Sequence, residues 1–149
     1  MNKIAAEPTS ILDNLFWRAE TCPERTFAHV IHGGKTTSLS VGALVEHAGR
    51  WARLLLNSGC EQGSTVILML RHGPDLYPAF LGCVMAGCVP SFMPGLTSKQ
   101  DPNLYWVSHD ALFRRIEASV VITWPENELL LREKIPLTTY QVHSLGAEL

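Results

Sequence analysis

One stretch of the chain decides the fold: residues 63–92 read GSTVILMLRHGPDLYPAFLGCVMAGCVPSF. Residues 65–70 are apolar on both alternating faces, which is typical of a strand that is covered on both sides. A helix over 74–86 follows, because Pro74 suits the first turn of a helix. A second short strand covers 88–92. A strand, a helix and a strand within this length predict a parallel crossover unit, and we expect its connection to be right-handed.

Helices and strands alternate on both sides of this unit. The apolar spacing predicts helices over 10–21, 41–57, 103–118 and 125–134, and strands over 27–31, 37–41, 120–123 and 140–142. This order predicts an α/β fold, with a mostly parallel sheet, flanking helices and an N-terminal β-hairpin. We expect one α/β domain over residues 1–149.

The composition is that of a protein with a buried core. Of 149 residues, 46% are hydrophobic and 17% are charged, whereas typical domains carry about 25% charged residues. The net charge is −2 and no Lys/Arg cluster exceeds a pair, which argues against a nucleic-acid surface.

The start of the chain has no signal-peptide pattern. We therefore interpret the four cysteines, whose spacing matches no common zinc pattern, as reduced thiols of a cytoplasmic protein.

One uncharged run has the length of a membrane span. Residues 76–98 contain no charge, and a run of this length is long enough to cross a bilayer. Pro78, Pro90 and Pro94 interrupt it, and a helix would break near Pro90. We therefore predict a buried helix followed by a buried strand, and no membrane span.

Two glycine-containing segments could hold a phosphate. Gly34-Lys35-Thr36 has the ending of a P-loop, but His29 stands where the first glycine of that motif is needed, and a strand rather than a helix is predicted to follow. Gly33-Gly34 between two strands instead predicts a hairpin turn. The segment 95–99, with its glycine and lysine, is either an anion-binding loop or an exposed polar loop, and we favour the latter.

The remaining candidates for chemistry are few. Ser108-His109-Asp110 names the residues of a hydrolase triad, but neighbours on a helix point about 100° apart and cannot contact one another as a triad does. His29 and His32, and Cys83 and Cys88, are too few to converge on a metal ion. Arg114, Arg115 and Arg132 either bind an anion or form the solvated face of a helix. From the residues alone, we obtain a soluble α/β domain without a catalytic constellation.

Five segments in sequence order resemble those of the adenylate-forming (AMP-binding) enzymes. These are the acyl-CoA synthetases, the adenylation domains of peptide synthetases and the luciferases. The segments are PERTFA at 23–28, SVGAL at 40–44, GCEQGSTVILML at 59–70, PDLYPAFLGCVMAGCVP at 74–90 and ASVVIT at 118–123. The resemblance covers roughly residues 10–125. The polar stretch 99–106 is similar to that of synthetase-like proteins of specialised metabolism.

The resemblance implies a reaction for a complete protein. The family activates a carboxylate with ATP and Mg²⁺ to an acyl-adenylate, and a thiol, often that of CoA, then takes the acyl group. The family's phosphate loop, adenine and ribose motifs and catalytic lysine have no counterpart in residues 1–149. The resemblance therefore implies an incomplete N-terminal subdomain that is inactive alone. The alternatives are a non-catalytic scaffold or subunit that completes a split ligase or binds a protein partner, and an unrelated small α/β binding protein.

The resemblance also implies where CoA would lie and what would cover the sheet. Phe92, Gly95 and Arg132 are the positions expected near CoA, and no catalytic or metal-binding residue is expected. Missing parts of the family's domain would leave the apolar strands uncovered, so we expect the strand residues Val66, Leu68, Leu70, Val120 and Ile122 to exceed what the helices can bury. An exposed apolar surface of this kind favours self-association, or binding to the remainder of the ligase or to a second polypeptide.

Overall fold

The computed structural model describes residues 10–135 and 141–144, which form five helices and six strands. The helices are α1 (Ile11–Thr21), α2 (Val41–Asn57), α3 (Leu76–Met85), α4 (Pro102–Arg115) and α5 (Pro125–Lys134). The strands are β1 (Thr26–His32), β2 (Lys35–Ser40), β3 (Thr65–Leu68), β4 (Val89–Phe92), β5 (Ala118–Thr123) and β6 (Gln141–Ser144). The predicted order of elements is confirmed; Tyr140, the first residue of the predicted last strand, lies outside the described residues.

Four strands form a parallel sheet in the order β4-β3-β5-β6. β3 lies in its interior, paired with β4 on one side and with β5 on the other. The parallel pairing of β3 with β4 confirms the crossover unit predicted from residues 63–92. Because β4 and β5 lie on opposite sides of β3, the direction in which the chain winds along the sheet reverses beside β3.

The first two strands form the predicted hairpin. β1 and β2 pair antiparallel, and His32 pairs with Lys35 at the closed end. Gly33 and Gly34 both have positive φ, at 57° and 74°, which is the requirement of the favoured two-residue turn. The segment that contains Gly-Lys-Thr therefore joins two strands and does not start a helix, as a P-loop does.

One face of the sheet is covered by α2 and α3. Ser40 caps α2, since its Oγ accepts a hydrogen bond from the Ala43 N–H at 3.2 Å. The apolar face of α2 and the small residues of α3 pack together over β3 and β5; the cluster includes Trp51, Leu55, Val66, Leu68, Ala79, Cys83, Val120 and Ile122. At the centre of this contact Gly82 allows α3 to lie directly on α2.

The other face is covered by α4 and α5. Its cluster includes Ile67, Met69, Tyr105, Trp106, Phe113, Val121, Leu131 and Val142. Successive strand residues therefore alternate between the two clusters, as the pleat requires. Both faces of β3 and β5 are largely buried, which explains why their sequences are mostly apolar on both faces.

The expectation that the sheet would be left uncovered is wrong. Val66, Leu68, Val120 and Ile122 are at most 1% exposed, and Leu70 is half-buried. The reason is that β3 and β4 are only four residues long. Two helices are enough to cover each face of a sheet with such short strands. Burial of these residues removes one of the two grounds for self-association, the exposed apolar surface, whereas β4 still forms an open edge of the sheet. Self-association itself stays a prediction.

Several predicted boundaries shift for local reasons. α4 ends at Arg115 rather than near residue 118, because Glu117 adopts a positive φ of 51° and β5 already begins at Ala118. β3 ends at Leu68, two residues earlier than predicted. In the part of the chain that the structure describes, no helix combines the length and the apolar character needed to span a membrane.

Gly82→Ala tests the contact between α2 and α3. A Cβ at this position would lie 2.4 Å from the Trp51 Cβ and 2.8 Å from the Ala48 carbonyl oxygen, so the helices must separate. We expect a loss of about 1–3 kcal/mol in the free energy of unfolding, measured by chemical denaturation. The matched control is Gly49→Ala on α2, where the added Cβ would meet only the Met85 Cε, at 4.0 Å. The Gly49→Ala protein should gain up to about 1 kcal/mol in the free energy of unfolding from helix propensity. A Gly82→Ala protein that is as stable as the wild type would contradict the close packing of α2 and α3.

Buried thiols predict that stability falls at alkaline pH. Burial raises the pKa of Cys60 to about 11 and that of Cys83 to about 12, from 9.0. Above pH 9 the thiols of the unfolded chain ionise while those of the folded chain stay protonated, so their contribution is complete below pH 9 and is lost as the pH rises toward 12. Denaturation between pH 7 and pH 10.5 should show this decline. A Cys60→Ala/Cys83→Ala protein should show a shallower one, and an identical slope would refute the assignment.

Candidate functional site

The carboxyl ends of β3, β4 and β5 meet at one edge of the sheet, which we call the carboxyl edge. It is formed by the residues that follow these strands: 69–73 after β3, 93–97 after β4 and Trp124 after β5. α3 covers one face and α4 the other, so the two crossover connections diverge at this edge beside β3. Open α/β sheets bind ligands in the crevice at such a reversal point.

Arg71 and Trp124 form the most distinctive contact at the carboxyl edge. The Arg71 Cζ lies 4.5 Å from the centroid of the Trp124 ring, within the range of a cation–π interaction. Arg71 is exposed and Trp124 is half-buried. Together they present a fixed positive charge and an aromatic ring, groups that can bind an anionic or planar ligand.

Gly95 brings the loop after β4 against the same tryptophan. A Cβ at Gly95 would lie 2.6 Å from the Trp124 Cη2, so the close approach depends on the absence of a side chain. The Tyr105 hydroxyl of α4 donates a hydrogen bond to the Pro94 carbonyl oxygen at 2.9 Å, which fixes the loop to the covering helix. Burial raises the pKa of Tyr105 to about 12, so this hydroxyl stays a neutral donor at physiological pH.

Two buried polar side chains hold β3, β5 and α5 in register at this edge. The Thr123 hydroxyl donates to the Met69 carbonyl oxygen at 3.1 Å, and the Asn127 Nδ2 donates to the Thr123 Oγ1 at 2.8 Å. Both residues are at most 2% exposed. A buried polar chain that is satisfied in this way rigidifies its surroundings, so the edge that carries Arg71 and Trp124 is built on a fixed frame.

The structure brings two of the three predicted CoA-side residues together. Phe92 ends β4 and is 52% exposed, with its ring stacked on that of Phe80 at 5.4 Å, and Gly95 lies three residues further along the same edge. Arg132 lies in the last turn of α5, which returns toward the opposite edge of the sheet, and its Nη2 pairs with the Glu128 Oε1 at 2.7 Å. Arg132 therefore does not share the carboxyl edge with Phe92 and Gly95.

The other sequence candidates have local partners. On α4 the Ser108 hydroxyl donates to the Tyr105 carbonyl oxygen at 2.9 Å, and the His109 Nδ1 lies 2.8 Å from the same oxygen. Asp110 pairs with Arg114 at 3.0 Å. Residues 108–110 are thus committed to their own helix and do not form a triad. Within residues 10–135 and 141–144, no three His, Cys, Asp or Glu side chains converge as metal ligands would.

Arg71 and Trp124 were missed in the sequence. A signal for them was available in their positions: each closely follows a strand that is predicted to be buried, and parallel strands end at a common edge.

Two surface clefts lie away from the carboxyl edge. One, of about 580 Å³, lies between α1 and the start of β1, and the other, of about 600 Å³, lies between α2 and β6. Neither is lined by Phe92, Gly95 or Arg132.

Gly95→Ala should disturb the Trp124 ring more than the fold. The added Cβ must push the ring aside, because a separation of 2.6 Å is shorter than any van der Waals contact, but a side-chain tip can move at small cost. We expect less than about 1 kcal/mol of destabilisation, together with loss of the ring-current shift that Trp124 exerts on the Arg71 side-chain protons in NMR spectra. Gly73→Ala, whose Cβ would meet only the Arg71 carbonyl oxygen, at 3.9 Å, is the matched control. Unchanged Arg71 shifts in Gly95→Ala would contradict the geometry.

Comparison with solved structures places the fold among adenylate-forming ligases. A fatty acyl-adenylate ligase from Legionella pneumophila, solved with acyl adenylate and pyrophosphate, aligns with a TM-score of 0.77 at 21% identity. The alignment covers 94% of this chain and 24% of that one. A benzoate CoA ligase from Burkholderia xenovorans aligns with a TM-score of 0.66 at 23% identity, over 87% of this chain and 24% of that one.

Sequence comparison gives two kinds of relative. Atromentin synthetase from Paxillus involutus is 24% identical over 145 residues, or 93% of this chain and 14% of the relative. Disco-interacting protein 2 homolog B from Homo sapiens is 30% identical over 92 residues, or 60% of this chain and 6% of the relative. The chain thus spans less than a sixth of the length of these curated relatives. The family profile described as AMP-binding enzyme matches residues 15–141. This match confirms the resemblance and excludes an unrelated α/β binding protein. The chain therefore belongs to the AMP-binding enzyme family.

Proposed function

We propose that this chain forms the first part of the large domain of an ATP-dependent ligase that activates a carboxylate as an acyl-adenylate. The observation that carries the proposal is the family match over residues 15–141. The parallel strand order β4-β3-β5-β6 also supports it. The direction of the chain along the sheet reverses beside β3, and open α/β sheets bind ligands at the edge where such a reversal occurs. In a whole ligase of this kind, a thiol such as that of CoA or of a carrier would then receive the acyl group.

The described residues do not fit ATP and Mg²⁺ by themselves. Their one Gly-Gly-Lys segment is a hairpin turn, with no helix N-terminus to hold phosphate. No group of metal-ligating side chains lies among them. Adenylation depends on donors placed around the charged phosphate in the transition state, so the nucleotide and the metal ion would be held by other parts of the ligase.

In such a ligase, this chain would contribute by holding side chains of the carboxyl edge in fixed positions. The Thr123–Asn127 hydrogen bonds and the Tyr105–Pro94 hydrogen bond hold the carboxyl edge rigid. That edge would present Arg71 and Trp124 toward the part of the ligase that carries the nucleotide. Phe92 and Gly95 are proposed to lie on the side of the thiol acceptor. Arg132 is the weaker third candidate, because Glu128 already pairs with it on a helix that leads away from this edge.

A second candidate is a non-catalytic domain that binds a protein partner. The observation in its favour is the 30% identity to Disco-interacting protein 2 homolog B over 92 residues, a relative whose name describes an interaction rather than a reaction. The DNA that follows the codon for Leu149 discriminates between the two. A reading frame that continues into a Ser/Thr/Gly-rich loop with a following lysine supports the ligase, whereas a neighbouring frame that encodes that part favours a subunit that completes a split ligase. Their absence favours the partner-binding domain.

The purified chain should catalyse no carboxylate-dependent exchange of pyrophosphate into ATP. The reason is that its Gly-Gly-Lys segment is a hairpin turn without a helix N-terminus to hold an ATP phosphate, and its described residues place no ligands around a metal ion. The measurement is isotope exchange with panels of fatty, aromatic and amino acids, with a complete family ligase as the positive control. Exchange above the background of a mock purification would refute the inactivity of the chain alone. It would leave the assignment to the ligase class intact.

A further inference from the structure

A polar cleft of about 600 Å³ lies between the second half of α2 and β6, away from the carboxyl edge. α2 ends at Asn57, shortly before the start of β3, and β6 begins at Gln141. The cleft therefore lies at the amino edge of the sheet. We call it the α2–β6 cleft, and its lining residues are Arg50, Arg53, Leu54, Asn57, Ser58, Gln141 and His143.

Two guanidinium groups give the cleft its positive charge. Arg50 and Arg53 are three residues apart on α2, so they share a face of the helix with about 5–6 Å between their Cβ atoms. The Arg50 Nη2 pairs with the Glu46 Oε1 at 2.7 Å. Arg53 makes no ion pair with any residue that the structure describes. Arg53 thus adds a charge that no carboxylate of the described residues balances.

Local hydrogen bonds satisfy carbonyl groups at the end of α2 that would otherwise oppose an anion in this cleft. A helix C-terminus carries partial negative charge on its unpaired carbonyl oxygens. Here the Ser58 N–H and hydroxyl both donate to the Leu54 carbonyl oxygen, at 2.9 and 2.8 Å, and the Cys60 N–H donates to the Leu55 carbonyl oxygen at 3.1 Å. Of the described residues that line the cleft, Arg50 and Arg53 alone carry a permanent charge.

Direct hydrogen bonds join the two walls of the cleft. The His143 Nε2 lies 2.9 Å from the Ser58 Oγ, and the Gln141 Nε2 donates to the Ser58 carbonyl oxygen at 2.9 Å. Ser58 thereby fixes β6 against the end of α2. The arginines consequently face a wall of defined position, so a ligand would meet a preformed site.

We propose that the α2–β6 cleft binds a small phosphate-bearing anion, with Arg53 as the main contact and Arg50 as the second. The planar fork of arginine donors matches two phosphate oxygens at once. Two such groups one helical turn apart suit adjacent phosphoryl groups. The volume is in the range of small-molecule sites, which favours a small anion over an acidic protein segment. The site does not depend on the proposed ligase function.

Titration of the chain with inorganic pyrophosphate tests the proposal. We expect saturable 1:1 binding by isothermal titration calorimetry at low ionic strength, weakened by added salt. Arg53→Gln should weaken it by about tenfold or more, and Arg53→Lys by less, since lysine keeps the charge but not the fork. Circular dichroism should show that both variants fold, because Arg53 is exposed.

The matched control is Arg115→Gln, which removes the same charge from an exposed position at the end of α4. Its pyrophosphate binding should equal that of the wild type. The proposal is overturned if no saturable binding occurs, if Arg115→Gln weakens binding as much as Arg53→Gln, or if a polyglutamate peptide binds the cleft and pyrophosphate does not.

Discussion

The structure depends on the contact between α2 and α3, where Gly82 leaves no space for a side chain against Trp51 and Ala48. This close approach places α3 flat over β3, and β4 can then return to pair beside β3. The same contact completes the cover of Val66, Leu68, Val120 and Ile122. A sheet whose central strands are apolar on both faces is stable in water only if both faces are covered. The small residues of α3 are therefore the condition under which so short a chain closes its own core.

That closed core determines where chemistry can be placed. With both faces occupied by helices, the edges of the sheet are the places left for functional side chains. At the carboxyl edge, Arg71 and Trp124 stand beside the reversal point, supported by the buried pair Thr123 and Asn127. At the amino edge, Arg53 stands in a cleft that Ser58 ties to β6. The two edges are built alike, with a fixed polar frame behind an exposed guanidinium group.

The sequence predicted the elements well and the site poorly, for physical reasons. Glycines with positive φ, caps such as Ser40 and apolar periodicity are local signals, and they predicted the hairpin, α2 and the parallel unit. Local sequence signals do not show whether helices cover the sheet, because the cover depends on how closely α3 approaches α2. Judged by chain length alone, the strands were expected to be exposed. The partnership of Gly95, Arg71 and Trp124 joins three separate loops, and no spacing along the chain reveals it.

Native-state hydrogen exchange of the chain tests most directly the claim that it buries both faces of its own sheet. The account predicts that amides of β3 and β5, the interior strands, exchange only by global unfolding. The β1–β2 hairpin, which lies outside this sheet, should open with a smaller free energy. Amides of β3 and β5 that exchange as fast as those of the hairpin would show that the helices do not cover the sheet, and would contradict the account.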